Sequence, residues 1–149
     1  MDKMDNLLAL EAVLVQRLTE QLADLSPKVK VLTAVDLAGV TEASQVTPAV
    51  HVIYRGYRVV ESRADGKAAR IEQTWLTVVA CDNKRNLRTG EAARVDAGAI
   101  ARRVCSALMG FNPAPISKPL RLAEGPEAGF SNGYQYLPLA FVAELALTQ

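Results

Sequence analysis

Two runs decide how this sequence is read: Val50-His51-Val52-Ile53-Tyr54 and Trp75-Leu76-Thr77-Val78-Val79-Ala80, on either side of Asp65-Gly66. Both are rich in β-branched and aromatic residues, which suit a pleated, half-buried surface. Side chains alternate across a strand, so Val50, Val52 and Tyr54 share one face, and His51, Ile53 and Arg55 share the other. In the second run Trp75, Thr77 and Val79 lie on one side, with Leu76, Val78 and Ala80 opposite. Asp-Gly suits a turn that needs positive φ. Residues 61–69 are therefore expected to form a hairpin loop between a strand over 49–60 and a partner over 71–81.

Outward from this hairpin, the first 25 residues read as a helix, because Met4, Leu7, Leu8, Val15, Leu18, Leu22 and Leu25 recur at three- and four-residue steps. Ser26-Pro27 ends it. Val29 to Val35 reads as a short strand, and Asp36 to Thr47 as a connector. A second helix is expected from Glu91 to Met109, with Ala93, Ala97, Ile100, Val104 and Leu108 as its buried stripe. Gly110 stands where a left-handed cap would end it, and Pro113 and Pro115 block continuation. A short strand at Leu120–Ala123 and a loop over Glu124–Gly133 precede a last strand from Tyr134 to Leu147. That strand places Leu137, Leu139, Phe141, Ala143, Leu145 and Leu147 on one face. Pro138, on its other face, points to an edge position or a break. The expected fold is a single α+β domain over residues 1–149: an antiparallel sheet with two helices packed on one face.

The 149 residues carry 50% hydrophobic and 22% charged side chains, an ordinary globular composition that argues against disorder. Seventeen bases against sixteen acids leave +1, which removes a global electrostatic case for nucleic-acid binding. Two cysteines, Cys81 and Cys105, rule out a disulfide scaffold and suit a reducing compartment. No apolar run reaches the length of a bilayer span, and the first residues lack the pattern of a signal peptide.

Chemical motifs are sparse. Gly129-Phe130-Ser131-Asn132-Gly133 has the letters of a nucleophile elbow, but an elbow requires a strand entering and a helix leaving. The only histidine, His51, lies far upstream, so Ser131 would lack a base. His51 itself reads as a partly exposed structural residue, and neither cysteine has metal spacing. No catalytic residue, cofactor or metal site is expected.

Charge placement says more. Arg55, Arg58, Arg63, Lys67 and Arg70 face only Glu61 and Asp65 in the hairpin, and Lys84, Arg85 and Arg88 follow with no acid among them. The first helix carries Asp2, Asp5, Glu11, Glu20 and Asp24 against Lys3 and Arg17. Such asymmetry suits contact between copies, or with an acidic partner. A solvated basic edge that resists aggregation accounts for it equally well.

From Pro48 onward the pattern resembles the tail terminator, or tail completion, proteins of long-tailed phages such as the Mu-like and lambda-like groups. The resemblance rests on Pro48-Ala49-Val50-His51-Val52-Ile53-Tyr54, on Gln73-Thr74-Trp75-Leu76-Thr77-Val78-Val79-Ala80, and on a helix entered through Gly90-Glu91-Ala92. It also rests on that helix's close, Ala107-Leu108-Met109-Gly110-Phe111-Asn112-Pro113, where the family often has tryptophan in place of Phe111. The resemblance implies a structural virion protein that forms a hexameric ring, caps the tail tube and ends its polymerisation. Its partners would be further copies of itself, the tube protein, a neck or head-completion protein and the tail sheath. DNA would pass through the lumen without sequence-specific binding. The location would be the neck end of the tail, reached from the host cytoplasm during assembly. A head-closure or neck adaptor and a small hydrolase using Ser131 are the alternatives.

Overall fold

The computed structural model describes residues 5–42, 46–82, 91–131 and 133–149, without the side chains of Glu42 and residues 91–95. Its elements are α1 (Leu10–Gln21), β1 (Lys30–Thr33), α2 (Leu37–Glu42), β2 (Ala49–Ser62), β3 (Ala68–Asp82), α3 (Glu91–Leu108), β4 (Arg121–Ala123), β5 (Gly129–Ser131) and β6 (Tyr134–Thr148). One six-stranded sheet runs β1-β2-β3-β6-β4, and β5 also pairs with β6, all within a single domain.

The three long strands are antiparallel neighbours. Tyr54 pairs with Trp75 and Trp75 with Phe141, while Val50, Val79 and Leu137 form a parallel row further along. Their side chains enter a cluster with Leu10, Leu14 and Leu18 of α1, Leu22 just after it, and Ala97, Ile100, Val104 and Leu108 of α3. Trp75 is fully enclosed. Its indole N–H donates to Gln73 Oε1 at 3.1 Å, and the Gln73 amide donates to the Leu7 carbonyl at 2.6 Å. A buried glutamine is thus satisfied while it ties the entry of α1 to the sheet, as burial of a polar group requires.

The opposite face holds a second cluster: Ile53, Leu76, Val78, Ala80, Tyr134, Tyr136 and Ala140 under Val40 of α2. His51 lies on this face. It is 2% exposed and its Nε2 has no partner, so the expectation of a partly exposed residue is corrected. Burial holds its pKa below the ordinary imidazole value.

Four further expectations change. The sheet is mixed, not antiparallel, because β1 runs parallel to β2, with Lys30 opposite Ala49 and Thr33 opposite Val52. The connector contains α2, which seats Val40 in the second cluster. The first helix starts only at Leu10, after a turn over residues 7–9 that Asn6 opens by accepting the Leu8 N–H on its Oδ1 at 2.8 Å. Finally, β6 is not an edge strand, since it lies between β3 and the β4/β5 pair; the break expected at Pro138 is one in the pairing on that outer side. β5 covers residues 134–136 and β4 covers 140–142, and Pro138 falls in the gap between them. Gly125 approaches there: a Cβ built on it would stand 3.3 Å from the Ala140 nitrogen and 3.6 Å from the Pro138 carbonyl oxygen.

The helix-closing motif also has a structural account. Gly110 adopts φ +79°, its N–H donates to Leu120, and Leu120 N–H donates to Phe111, stitching the end of α3 to the approach of β4. Arg17 of α1 donates to the Ala107 carbonyl at 3.0 Å and stacks 4.6 Å over the Phe111 ring. A cation there meets the negative end of the α3 dipole.

Candidate assembly surface

The β2–β3 hairpin runs past the part of the sheet covered by the clusters. Its turn is tighter than the sequence implies, spanning 63–67, with Gly66 at φ +74°. Arg63 forms a two-bonded fork with Asp65 at 2.8 and 2.7 Å, and Asp65 also accepts the Lys67 N–H at 3.0 Å. The Arg63 guanidinium holds the Asp65 carboxyl below the usual carboxylate range. Along β2 the register slips between Tyr54 and Gly56 and again between Val59 and Glu61, leaving Arg55 and Val60 as bulged residues. β1 covers only Ala49–Val52, so the outer edge of β2 from Ile53 to Ser62 has no strand beside it among the described residues. Tyr57, Val59 and Val60 are exposed on this half, Tyr57 by 60%.

The hairpin's bases meet acids from other strands. Arg58, Glu72 and Glu144 stand in one row across β2, β3 and β6. Two carboxylates directly opposite each other repel, and each is offset here by basic neighbours. Glu72, with 10% of its side chain exposed, is gripped by Arg58 at 2.5 Å and by Arg121 of β4 at 2.6 Å. Glu144, 6% exposed, takes Arg70 at 3.3 Å and Lys118 at 3.5 Å, and Arg70 reaches Glu61 at 2.9 Å as well. The hydrogen bond from Arg121, with both guanidinium charges adding to it, holds the Glu72 carboxyl below its ordinary value.

The eight residues singled out from the sequence therefore separate. Arg58, Arg63 and Arg70 are paired within the chain. Arg55 and Lys67 carry side chains with no ion pair among the described residues, and Lys84, Arg85 and Arg88 lie outside those residues. Sequence reading missed Glu72, Lys118, Arg121 and Glu144, which come from three other segments. The usable signal was the hairpin register, which sets Glu72 opposite Arg58.

Other motifs fall away. Gly129–Ser131 forms β5, and Gly133, at φ +81°, leads directly into β6, so Ser131 sits in a strand–turn–strand hairpin. That replaces the expected loop and lacks the helix an elbow needs. Among the described residues, no group of three or more His, Cys, Asp or Glu could hold a metal ion, and no helix is long and apolar enough to cross a membrane. A second charge pattern is internal too: Asp24 of the acidic first segment pairs with Arg103 of α3 at 2.5 Å.

A family model for the phage tail terminator protein matches residues 4–149. The chain belongs to the phage tail terminator family. Membership makes it a structural protein of the bacteriophage virion tail, in a family of structural proteins and not of enzymes. A search of curated proteins finds no match. As a tail terminator, it carries its charge clusters and its uncovered strand edge on the same half of the sheet, opposite the end where Val40 and α2 pack.

Proposed function

We propose that this protein assembles into a hexameric ring that caps the last layer of the tail tube, stops its polymerisation and joins the tail to the neck. The family match over nearly the entire chain carries this reading. It takes residues 1–149 as one terminator domain, with α1 and α3 as a single layer on one face of the sheet, which their shared apolar cluster supports. The ring surface is the hairpin half, with Arg55, Arg58, Arg63, Lys67 and Arg70; Lys84, Arg85 and Arg88, outside the described residues, belong to the same proposal on their charge alone. Rings need heterologous contacts between unlike patches of neighbouring copies, and this half offers both an open strand edge and exposed Tyr57, Val59 and Val60. The tube protein, the neck protein and the sheath contact the ring's other surfaces, and DNA passes its lumen without sequence readout. The protein reaches the neck end of the tail from the host cytoplasm and needs no cofactor.

Deleting the gene and imaging lysates tests the reading. A terminator loss gives overlong tail tubes. Tails of normal length accompanied by separate heads would instead identify a head-closure or neck adaptor.

A further inference from the structure

The uncovered half of the second face holds a trough of about 650 Å³. Thr74 and Val142 lie at its lining, Arg55 and Arg58 come from β2, and Arg121, Glu124, Gly125 and Pro126 come from β4 and the segment after it. We propose that this trough is a receptor for an extended, carboxylate-bearing segment of a partner protein.

Three independent features converge on it. The first is a bulge. Arg55 has no partner residue in β3, and Gly56 beside it adopts φ +117°, a backbone conformation that side-chain-bearing residues rarely adopt. Bulges of this kind re-aim a side chain out of the strand's alternation, and here the bulged residue is an arginine lining the trough with no ion pair among the described residues. The second is the Glu72 clamp. It fixes Arg58 and Arg121 by one nitrogen each, while their side chains stay 71% and 54% exposed. Each guanidinium has five donors, so most remain available, already oriented. The third is the wall. Gly125 lies so close to the β6 backbone that a Cβ would meet Ala140 at 3.3 Å, which seats the Glu124–Pro126 segment against the sheet.

Charge selects the ligand class. Three arginines against Glu72 and Glu124 leave the trough net positive, in a chain whose overall charge is only +1. Arginine forks match carboxylates and phosphates alike. A nucleic-acid strand, however, brings a charge at every nucleotide and would have to pass Glu72 and Glu124. Separate carboxylates on a peptide can meet the arginines and avoid those acids. The site shares Arg55 and Arg58 with the proposed ring surface but lies on the sheet face, and peptide binding by the purified chain reads it without any ring being formed.

The test is fluorescence anisotropy with a labelled hexaglutamate peptide, titrated with the full chain at low and at physiological salt. The peptide binds, and added salt weakens it. Arg55→Gln, which breaks no internal pair, weakens it roughly tenfold, corresponding to about 1.4 kcal/mol. Arg121→Gln does the same while circular dichroism stays native. Lys28→Gln, an equal change of charge on an exposed residue elsewhere, leaves binding within twofold. Absent binding, equal losses in Arg55→Gln and Lys28→Gln, or tighter binding of a single-stranded hexanucleotide than of the peptide would each overturn the proposal.

Discussion

The two halves of the sheet spend the same strands differently. Toward Ala49, Cys81 and Tyr134, the strands bury side chains in two clusters, one shared with residues of α1 and α3 and the other with Val40. Toward the hairpin turn, β2 exposes Tyr57, Val59 and Val60, and the facing charges are carried on Arg58, Glu72, Arg121 and Glu144. Burial of apolar area drives folding, so the first half holds the stability. The second half carries paired charges on one face of β3 and β6, while Ile71, Ala143 and Leu145 of the same strands join the main cluster. Its exposed apolar residues and open edge are a liability for a lone monomer, and they make sense where another chain covers them.

The comparison breaks most visibly at Trp75. Trp75→Ala empties a fully enclosed site and strands Gln73 Oε1, so unfolding in urea should show a loss of about 3–5 kcal/mol. Changes confined to the hairpin half should cost much less. Glu72→Gln removes the charge shared by two exposed arginines and turns one of its two acceptor oxygens into a donor; the arginines can rehydrate, and the change should cost about 1–2 kcal/mol at neutral pH. The folded Glu72 pKa is depressed below its ordinary 4.5, so its contribution is complete above that value and is lost as the pH falls through the folded pKa. Wild type and Glu72→Gln should therefore converge in urea midpoint on strong acidification. A gap that persists would mean packing, not charge, holds that row.

His51 sharpens the contrast from the core side. Its folded pKa is depressed below 6.5, so the unfolded chain takes up the proton first as the pH drops. Stability is complete above about pH 6.5 and declines below it, with a slope from this one group of at most about 1.4 kcal/mol per pH unit. His51→Leu should remove that slope between pH 6.5 and 5. An unchanged slope would place the titration elsewhere.

The core half was legible because its signal is local. Alternation through Val50–Tyr54 and Trp75–Ala80, and from Leu137 to Leu147, gives the inward faces directly. What escaped depends on neighbours distant in sequence. Pro138 suggested an edge or a break, and nothing local shows that it is a break left between β4 and β5 on an interior strand. The excess of bases over Arg55–Arg70 counted charges along the chain, whereas Glu72 and Glu144 meet them across strands and Arg121 shares Glu72. The six-residue α2 carries too few turns to establish a helical period, and its Asp36 Oδ1 to Gly39 N–H bond at 2.7 Å is visible only in the fold. The parallel β1 is likewise a tertiary choice.

The smallest effect belongs to Ser131→Ala. In a strand–turn–strand setting it should change stability by no more than about 0.5 kcal/mol and leave tail assembly normal. Failed assembly in a folded Ser131→Ala protein would show that the hydroxyl has a role beyond the hairpin.

The division between a folding half and an assembling half is tested most directly by Arg63→Glu with Lys67→Glu at the exposed turn. Melting of the purified double mutant is measured beside tail length, by electron microscopy, in cells where it is the only copy. Like charges brought together across an interface cost several kcal/mol, whereas exposed turn charges change folding by about 0.5 kcal/mol. A native melt with overlong tails is the expected result. A native melt with tails of normal length would make the hairpin turn an ordinary solvated end and contradict the account.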